Sequence, residues 1–496
     1  MIRAEWTKFR TVRGWVAGIG AAVLIVVLLG ALAALATRQS CMAGTVEVAC
    51  PPTPTGPGGE AVRDNFTFVH QPLDGDGEIT ARLSDMTGTI TYPPPNHDQI
   101  VAGLVPWAKA GIMVKAGTKP GAAYASMLLT GHHGVRMQSD FTHDVAAPGF
   151  SGPVWLRLRR TGDEVTGYAS NDGTAWQRIG AVKLAGLPRT VQIGLFATSP
   201  SDISQEANSL SGTIVQARFT QAVAEFSQVS PAAGWTYEDV GDDGGRTDWE
   251  KTHPPGFTES AGVLTVTGSG DIAPLGQPGG GMAMENLLVG LFPALLLVIV
   301  VAVLFVTAEF RRGLIRTTLI AAPGRDRVLA AKAVVIGGVT FAAGLVAAGV
   351  TIPLAVHLLA AHDVHVLPVP WWTALRVVTG TAALLSLAAV FAYAVGVVVK
   401  RGVLALAAAV VLLVVPQVLA TSSVLPDGAA QWLTRVTPAA GFAVLQSIPA
   451  YPQVLFPYSP ADGYYPLAPW AGLGVLLLYV AAALAVAVAR FRRADA

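Results

Sequence analysis

Six basic residues, Arg311, Arg312, Arg316, Arg325, Arg327 and Lys332, fall within TAEFRRGLIRTTLIAAPGRDRVLAAKAV, residues 307–334, and long apolar runs enclose that stretch on both sides. A guanidinium presents a planar fork of donors that fits a carboxylate or phosphate, whereas any cation gives a diffuse attraction to anionic lipid. The stretch therefore either anchors the neighbouring helices at a membrane surface or docks a partner. Thr317, Leu319 and Ile320 among the charges permit a short amphipathic helix. Other chemistry-bearing groups are sparse. Glu285 and Glu309 stand at the ends of apolar runs, not at the centre where a carboxylate would suggest proton coupling. His362, Asp363 and His365 form a small cluster that reads as a solvated loop ahead of a metal site, and His132-His133 has no Cys or His partner at metal-binding spacing. Asp74-x-Asp76-Gly77-Glu78 starts like a calcium loop, but Ile79 stands where a glycine is needed, which favours a turn. Asn171-Asp172-Gly173 reads as a hairpin turn. The sequence has no HExxH and no Ser/His/Asp arrangement. None of its eight lysines follows a glycine, so it carries no phosphate-cradling loop.

These residues sit in a chain that is 52% hydrophobic and 13% charged, the balance of a membrane protein. Six windows are long and apolar enough to span a hydrocarbon core of ~30 Å: Gly14–Thr37, Asn286–Thr307, Ala333–Ala360, Trp372–Val399, Gly402–Leu425 and Ala471–Ala489. The first also has the basic start and Ala31-Leu32-Ala33 pattern of a signal peptide, although its apolar run is longer than a signal core. Gly14 and Gly18 in it have the spacing of a close helix contact. Charge is segregated. Residues 38–284 hold 16 of the 33 Lys/Arg and 24 of the 32 Asp/Glu, leaving 17 and 8 elsewhere. Fifteen of those cations flank alternate window ends, with four before the first window, six after the second, Lys400-Arg401 after the fourth, and Arg490, Arg492 and Arg493 after the sixth. Positive charge collects on cytoplasmic ends, so both termini are expected inside and residues 38–284 outside.

The outer block reads as β structure. Ile79, Ala81 and Leu83 alternate with Glu78, Thr80 and Arg82, and the same pattern recurs at Val191, Ile193, Leu195 and Ala197, and at Val215, Ala217 and Phe219. Turn signals separate these runs, which suggests an antiparallel two-sheet sandwich. Cys41 and Cys50 are the only cysteines, both just beyond the first window, and a local disulfide is the natural reading in an oxidising compartment. GDGEITARL, WAKAGIMVKAG and WLRLRRTGDEVTGYASNDGTAWQRIG followed by VQIGLFATS together resemble the concanavalin-like, laminin-G-like jelly rolls of bacterial surface proteins over about residues 62–222. The resemblance implies a surface ligand such as carbohydrate, although fold alone does not establish one. Residues 38–61 read as an outer linker, and 223–284 as a β-rich return segment with a Gly/Pro linker.

AEWTKFRTVRGW, VTAEFRRGLIRTTLIAAPGRDRVLAAKAVV and WLTRVTPAAGFAVLQSIP resemble the permease subunits of type-2 ATP-binding-cassette (ABC) transporters, over residues 1–37 and 285–496. The resemblance implies a polytopic α-helical fold of six spans with an inserted all-β jelly-roll domain. Residues 1–37 would be a cytoplasmic amphipathic helix and first span, and 285–496 the other five. It also implies a coupling segment at 309–322 that meets the ATPase through Glu309, Arg311, Arg312, Arg316 and Leu319, and an outer re-entrant region at 428–449. The insertion of about 250 outer residues between the first two spans departs from that family's pattern. The function so implied is ATP-driven export from a bacterial plasma membrane. It would be carried out with a separate ABC ATPase chain and as a homodimer or paired permease, with no cofactor, no catalytic residue and no nucleic-acid partner. Two other readings stand beside it: a membrane-anchored surface-binding or sensing protein without transport, and a secondary transporter, which the missing mid-span carboxylates disfavour. A Cys41–Cys50 bridge would close a loop of about ten residues and add about 2–3 kcal/mol locally. Alkylation of protein from intact cells, with and without reductant, is expected to label both thiols only after reduction. Free thiols beforehand would remove the bridge.

Overall fold

The structure is a computed structural model of the 496-residue chain. It describes all residues except 39–40, 44–45, 49–51, 92–98, 209–211, 242–247, 277–281, 312–323, 423, 455–457 and 494–496. The chain divides into two compact units. One comprises Met1–Gln39, Gly281–Ala450 and Pro457–Ala496, and the other Ser40–Gly280 with Tyr451–Phe456.

The first unit is helical. Six of its helical segments are long and apolar enough to cross a membrane: Arg13–Ala36, Leu291–Phe310, Arg325–Ala360, Trp371–Val399, Gly402–Thr421 and Pro469–Arg493, here spans 1 to 6. Two boundaries differ from the hydropathy windows. Residues Met284–Leu288 form a 3₁₀ turn ahead of span 2. Span 3 begins eight residues early, because Gly324 caps a helix that takes Arg325, Arg327 and Lys332 into its first turns. A short helix, Ile2–Thr11, precedes span 1 and is separated from it by the extended residue Val12. Of the two glycines with contact spacing in span 1, only Gly18 makes a close approach: a Cβ there would meet Val301 of span 2, whereas Gly14 faces open space.

Between spans 5 and 6 lie a helix, Asp427–Val436, and a 3₁₀ segment, Pro438–Leu445, whose eight residues are all buried. Span 6 accommodates it through Gly472, where any side chain would strike the Ala440 carbonyl. This 3₁₀ backbone is covered by protein along its whole length.

The second unit is an all-β sandwich. One sheet runs Gln177–Lys183, Glu164–Ser170, Val154–Thr161, Gly77–Thr91, Gly212–Ser230, Val263–Gly268, Gly256–Ser260, with Asp202–Asn208 and Ile100–Ala102 paired alongside. The other runs Thr236–Val240, Val62–Asp74, Thr190–Thr198, Lys109–Lys115, Tyr124–Thr130, Val135–Ser139, His143–Ala147, with Asp271–Pro274 against Val62–Asp74. All these pairings are antiparallel, and strands after residue 222 belong to both sheets. Between the sheets, Ile79, Ala81, Leu83, Leu156 and Leu158 meet Ile112, Val114, Ile193 and Leu195, all nearly or fully buried. In Gly212–Ser230 the inward set is Ala222, Ala224 and Phe226, one register away from the set the alternation suggests. Ala217 is exposed, and Phe219 stacks on Trp249 at 5.5 Å on the other face.

Two buried ion pairs tie the start of Val62–Asp74 and the strand Asp271–Pro274 to Lys109–Lys115. Lys115 Nζ donates to Asp64 Oδ2 at 2.7 Å, and Lys109 Nζ donates to Asp271 Oδ1 at 2.7 Å. Burial lowers the Lys115 pKa and the Asp64 carboxylate works against that shift. Phe66, Tyr124 and Phe141 surround the ammonium at 5.5–5.8 Å. Removing one partner of such a pair leaves a buried charge, at a cost of about 3 kcal/mol or more. Residues 53–280 expressed alone are expected to give a β-rich circular dichroism spectrum and a cooperative melt. Lys115→Met should lower that melt by roughly 10 °C, and adding Asp64→Leu should restore most of it. An unchanged melt for Lys115→Met would show that the pair does not hold the strand.

Candidate functional site

The helical unit has one end where cations gather: the Ile2–Thr11 helix, the C-terminal end of span 2, the first turns of span 3, the junction of spans 4 and 5, and the end of span 6. At its centre Lys332, fully buried, donates to Glu5 Oε2 and to Glu309 Oε1 at 2.6 Å each. Lys8 closes the set, 3.1 Å from Glu5 Oε1 and 3.4 Å from Glu309 Oε1. Two carboxylates and two ammoniums are thus balanced, and the N-terminal helix is joined to spans 2 and 3. Glu5 and Glu309 are only 4% and 5% exposed, whereas the Lys8 side chain remains 39% open. Burial pulls the Lys8 pKa down, but the Glu309 and Glu5 carboxylates outweigh it and leave that pKa above the ordinary lysine value. A raised pKa means its contribution is complete below the ordinary lysine value and is lost only above it, so the network holds at neutral pH.

The surroundings explain why the charges tolerate burial. The Lys332 ammonium lies 5.1 Å from the Phe305 ring centroid. Phe9 packs edge-on to Phe305 at 5.8 Å, and Trp15 does the same at 5.0 Å. The Tyr393 hydroxyl of span 4 donates to the Leu329 carbonyl at 3.2 Å, fixing the turn that precedes Lys332. Asp326 pairs with Arg492, and Arg325 donates to the Phe491 carbonyl at 3.2 Å, which ties span 3 to the end of span 6.

Of the residues expected to meet a partner, Glu309 is buried within this network. Arg311 ends the helix Leu291–Arg311 and is described only in its backbone. Arg312, Arg316 and Leu319 lie outside the described residues, as does Cys50, while Cys41 falls on a short strand, Cys41–Ala43. Glu5 and Lys332 were not among the expected site residues. The signal available was the Glu5-x-x-Lys8 spacing on a helix whose other charges are all basic.

The opposite end of this unit carries a second polar set. Glu285 accepts from the Ser447 backbone N at 3.1 Å and from the Ser447 hydroxyl, holding the start of span 2 to the buried 3₁₀ segment. Burial raises the Glu285 carboxyl above the usual range, against the bonds from Ser447. Arg376 donates to the Gln446 carbonyl at 2.5 Å.

The remaining candidates behave as structural groups. Asp76 accepts from the Gly162 backbone N at 2.7 Å, and Asp74 and Glu78 pair with Arg189 and Arg159. Asp172 caps its turn by accepting from Thr174 and Ala175, bonds that hold its carboxyl far below the usual range. His133 stacks on Trp107 at 4.1 Å. Among the described residues, no group of three or more His, Cys, Asp or Glu is placed to hold a metal ion.

No family model matches the chain, and comparison with curated proteins gives no match. Among solved structures it is similar to SCP-B, a member of the Eqolisin family of peptidases in a complex with a tripeptide, at 12% identity over 42% of this chain and 99% of that chain, with a TM-score of 0.24. It is also similar to a functionally unknown protein from Saccharomyces cerevisiae, at 14% identity over 38% and 83% with a TM-score of 0.19. A third likeness is to a mutant of the GH43 protein BlXynB from Bacillus licheniformis, at 14% identity over 28% and 26% with a TM-score of 0.16. Scores this low carry no argument about fold or activity.

Removing one member of the Lys332 network should strand a buried charge. Lys332→Met is expected to destabilise the detergent-solubilised protein by about 3–5 kcal/mol and to expose the Ile2–Thr11 helix to protease. Lys332→Met combined with Glu309→Gln leaves the Glu5–Lys8 pair balanced and should recover most of the loss. Equal thermal stability and protection in the single variant would show that the network does not hold the helix.

Proposed function

We propose that the chain is the membrane-spanning permease subunit of an ATP-driven ABC export system and works with a separate ATPase chain. The observation that carries this reading is the buried network of Glu5, Lys8, Glu309 and Lys332. It clamps an amphipathic N-terminal helix to the facing ends of spans 2 and 3. The basic residues 312–323 join those two ends. A segment that must transmit force from an ATPase needs fixed ends. A lipid anchor needs none, since each arginine contributes ~1 kcal/mol of screened attraction wherever it lies.

In this reading residues 309–322 form the coupling segment. Glu309 holds its base, while Arg311, Arg312, Arg316 and Leu319 face the ATPase. The cation-rich end is cytoplasmic and residues 428–449 are the outer re-entrant element. Support for the latter comes from the buried 3₁₀ backbone between spans 5 and 6. Two copies, or a paired permease, would enclose the pathway, and the sandwich would capture or sense a ligand at the cell surface.

Arg312→Lys keeps the membrane charge and loses the forked bonds of arginine. That variant, and more strongly Arg316→Glu and Leu319→Asp, is expected to remain in the membrane at normal abundance. Each should lower ATPase co-purification and substrate-stimulated ATP hydrolysis several-fold. Full ATPase recovery with all three variants would leave the arginines as topology signals and favour the membrane-anchored binding protein instead.

A further inference from the structure

A groove of about 650 Å³ opens at the cation-rich end of the helical unit, between span 2 and the start of span 5. Val300, Val303 and Leu304 form one wall and Leu404 and Leu406 the other, while Lys400 and Arg401 stand at its mouth. The wall from Val300 to Thr307 runs about 10 Å along the helix axis, from the level of the span ends into the apolar interval. Its sides are open: Leu304 is 44% exposed, Leu404 54% and the adjoining Val403 82%.

The two cations sit on the turn that joins spans 4 and 5. Lys400 takes the left-handed conformation, φ 60°, that ends span 4, and its ammonium lies 5.7 Å from the Phe310 ring centroid. Arg401 immediately precedes the first helical residue of span 5. Among the described residues neither meets a carboxylate, and the carboxylates described at this end are already paired. Glu5 and Glu309 are taken by Lys8 and Lys332, and Asp326 by Arg492. Residues 312–323 contain no Asp or Glu.

We propose that this groove binds an anionic phospholipid, with an acyl chain along Val303, Leu304 and Leu404 and the headgroup phosphate between Lys400 and Arg401. Charge complementarity favours a lipid over a second copy of the chain. A two-fold interface sets the same face against itself, which would bring two pairs of cations together without a counter-charge. A phosphate at an apolar mouth supplies that charge, as basic pockets between spans do for acidic lipids. The inference is independent of whether an ATPase docks on the neighbouring segment.

The test uses the full-length protein, reconstituted with equal amounts of phosphatidylglycerol and phosphatidylcholine, then released into detergent and weighed by native mass spectrometry. At roughly fivefold per cation, two cations give the wild type about a 25-fold preference for retaining phosphatidylglycerol. Lys400→Gln/Arg401→Gln should retain both lipids equally. Leu404→Trp, which keeps the charges and fills the groove, should lower the retained lipid per chain, and it decides the matter if the double variant fails to insert. Equal retention of the two lipids by wild type, or unchanged retention in Leu404→Trp, overturns the proposal. So does conversion of a dimer to a monomer by Leu404→Trp with no loss of lipid, which would place a second copy in the groove.

Discussion

The helical unit depends on one buried ammonium. Lys332 has no solvent exposure, and an uncompensated charge there would cost several kcal/mol, so its two carboxylates are a condition of the fold. Glu5 lies 327 residues away in sequence and Glu309 only 23, and both bond at 2.6 Å. Satisfying one cation therefore determines where the N-terminal helix lies and how the ends of spans 2 and 3 face each other. Lys8 then balances the second carboxylate while reaching solvent. Without it, three charges in an apolar setting would carry a net negative charge.

The opposite end is held by a weaker logic. Glu285 is met mainly by neutral donors, the Ser447 amide and hydroxyl, and its carboxyl is raised by burial. Hydrogen bonds to a carboxylate stabilise its charged form, but less decisively than a contacting ammonium does. A bundle with a charge-balanced clamp at one end and a hydrogen-bonded latch at the other has unequal resistance to opening. The glycine at Gly472 lets span 6 press directly on the backbone of the buried 3₁₀ segment, so that latch is also a packing contact.

Much of this architecture was legible in the sequence, because spans and half-buried strands follow from apolar length and period alone. Ile79, Ala81 and Leu83 alternate and are buried as the period requires. The alternation in Gly212–Ser230 misled because Trp249 covers part of its other face, where Phe219 stacks on it. A strand covered on both sides has no polar face to mark its phase. The clamp escaped for a different reason. Hydropathy averages over a window, so a single lysine at a span's edge reads as a flank, and only long-range pairing turns it into a buried partner.

The same averaging hides what distinguishes the fifteen flanking cations from one another. Lys332 and Lys8 neutralise carboxylates within the fold, and Arg492 neutralises Asp326. Each is therefore spent internally and offers little to a lipid or a partner. Lys400 and Arg401, with no carboxylate among the described residues, keep their full charge for something outside the chain. A positive-inside count treats all of these as equal. The division that matters is between cations that complete the fold and those left over once its few carboxylates are used. With eight acidic groups against seventeen basic ones outside residues 38–284, a remainder is unavoidable. Among the described residues that remainder includes Lys400 and Arg401 beside an apolar groove, where this unit can attract an anionic surface.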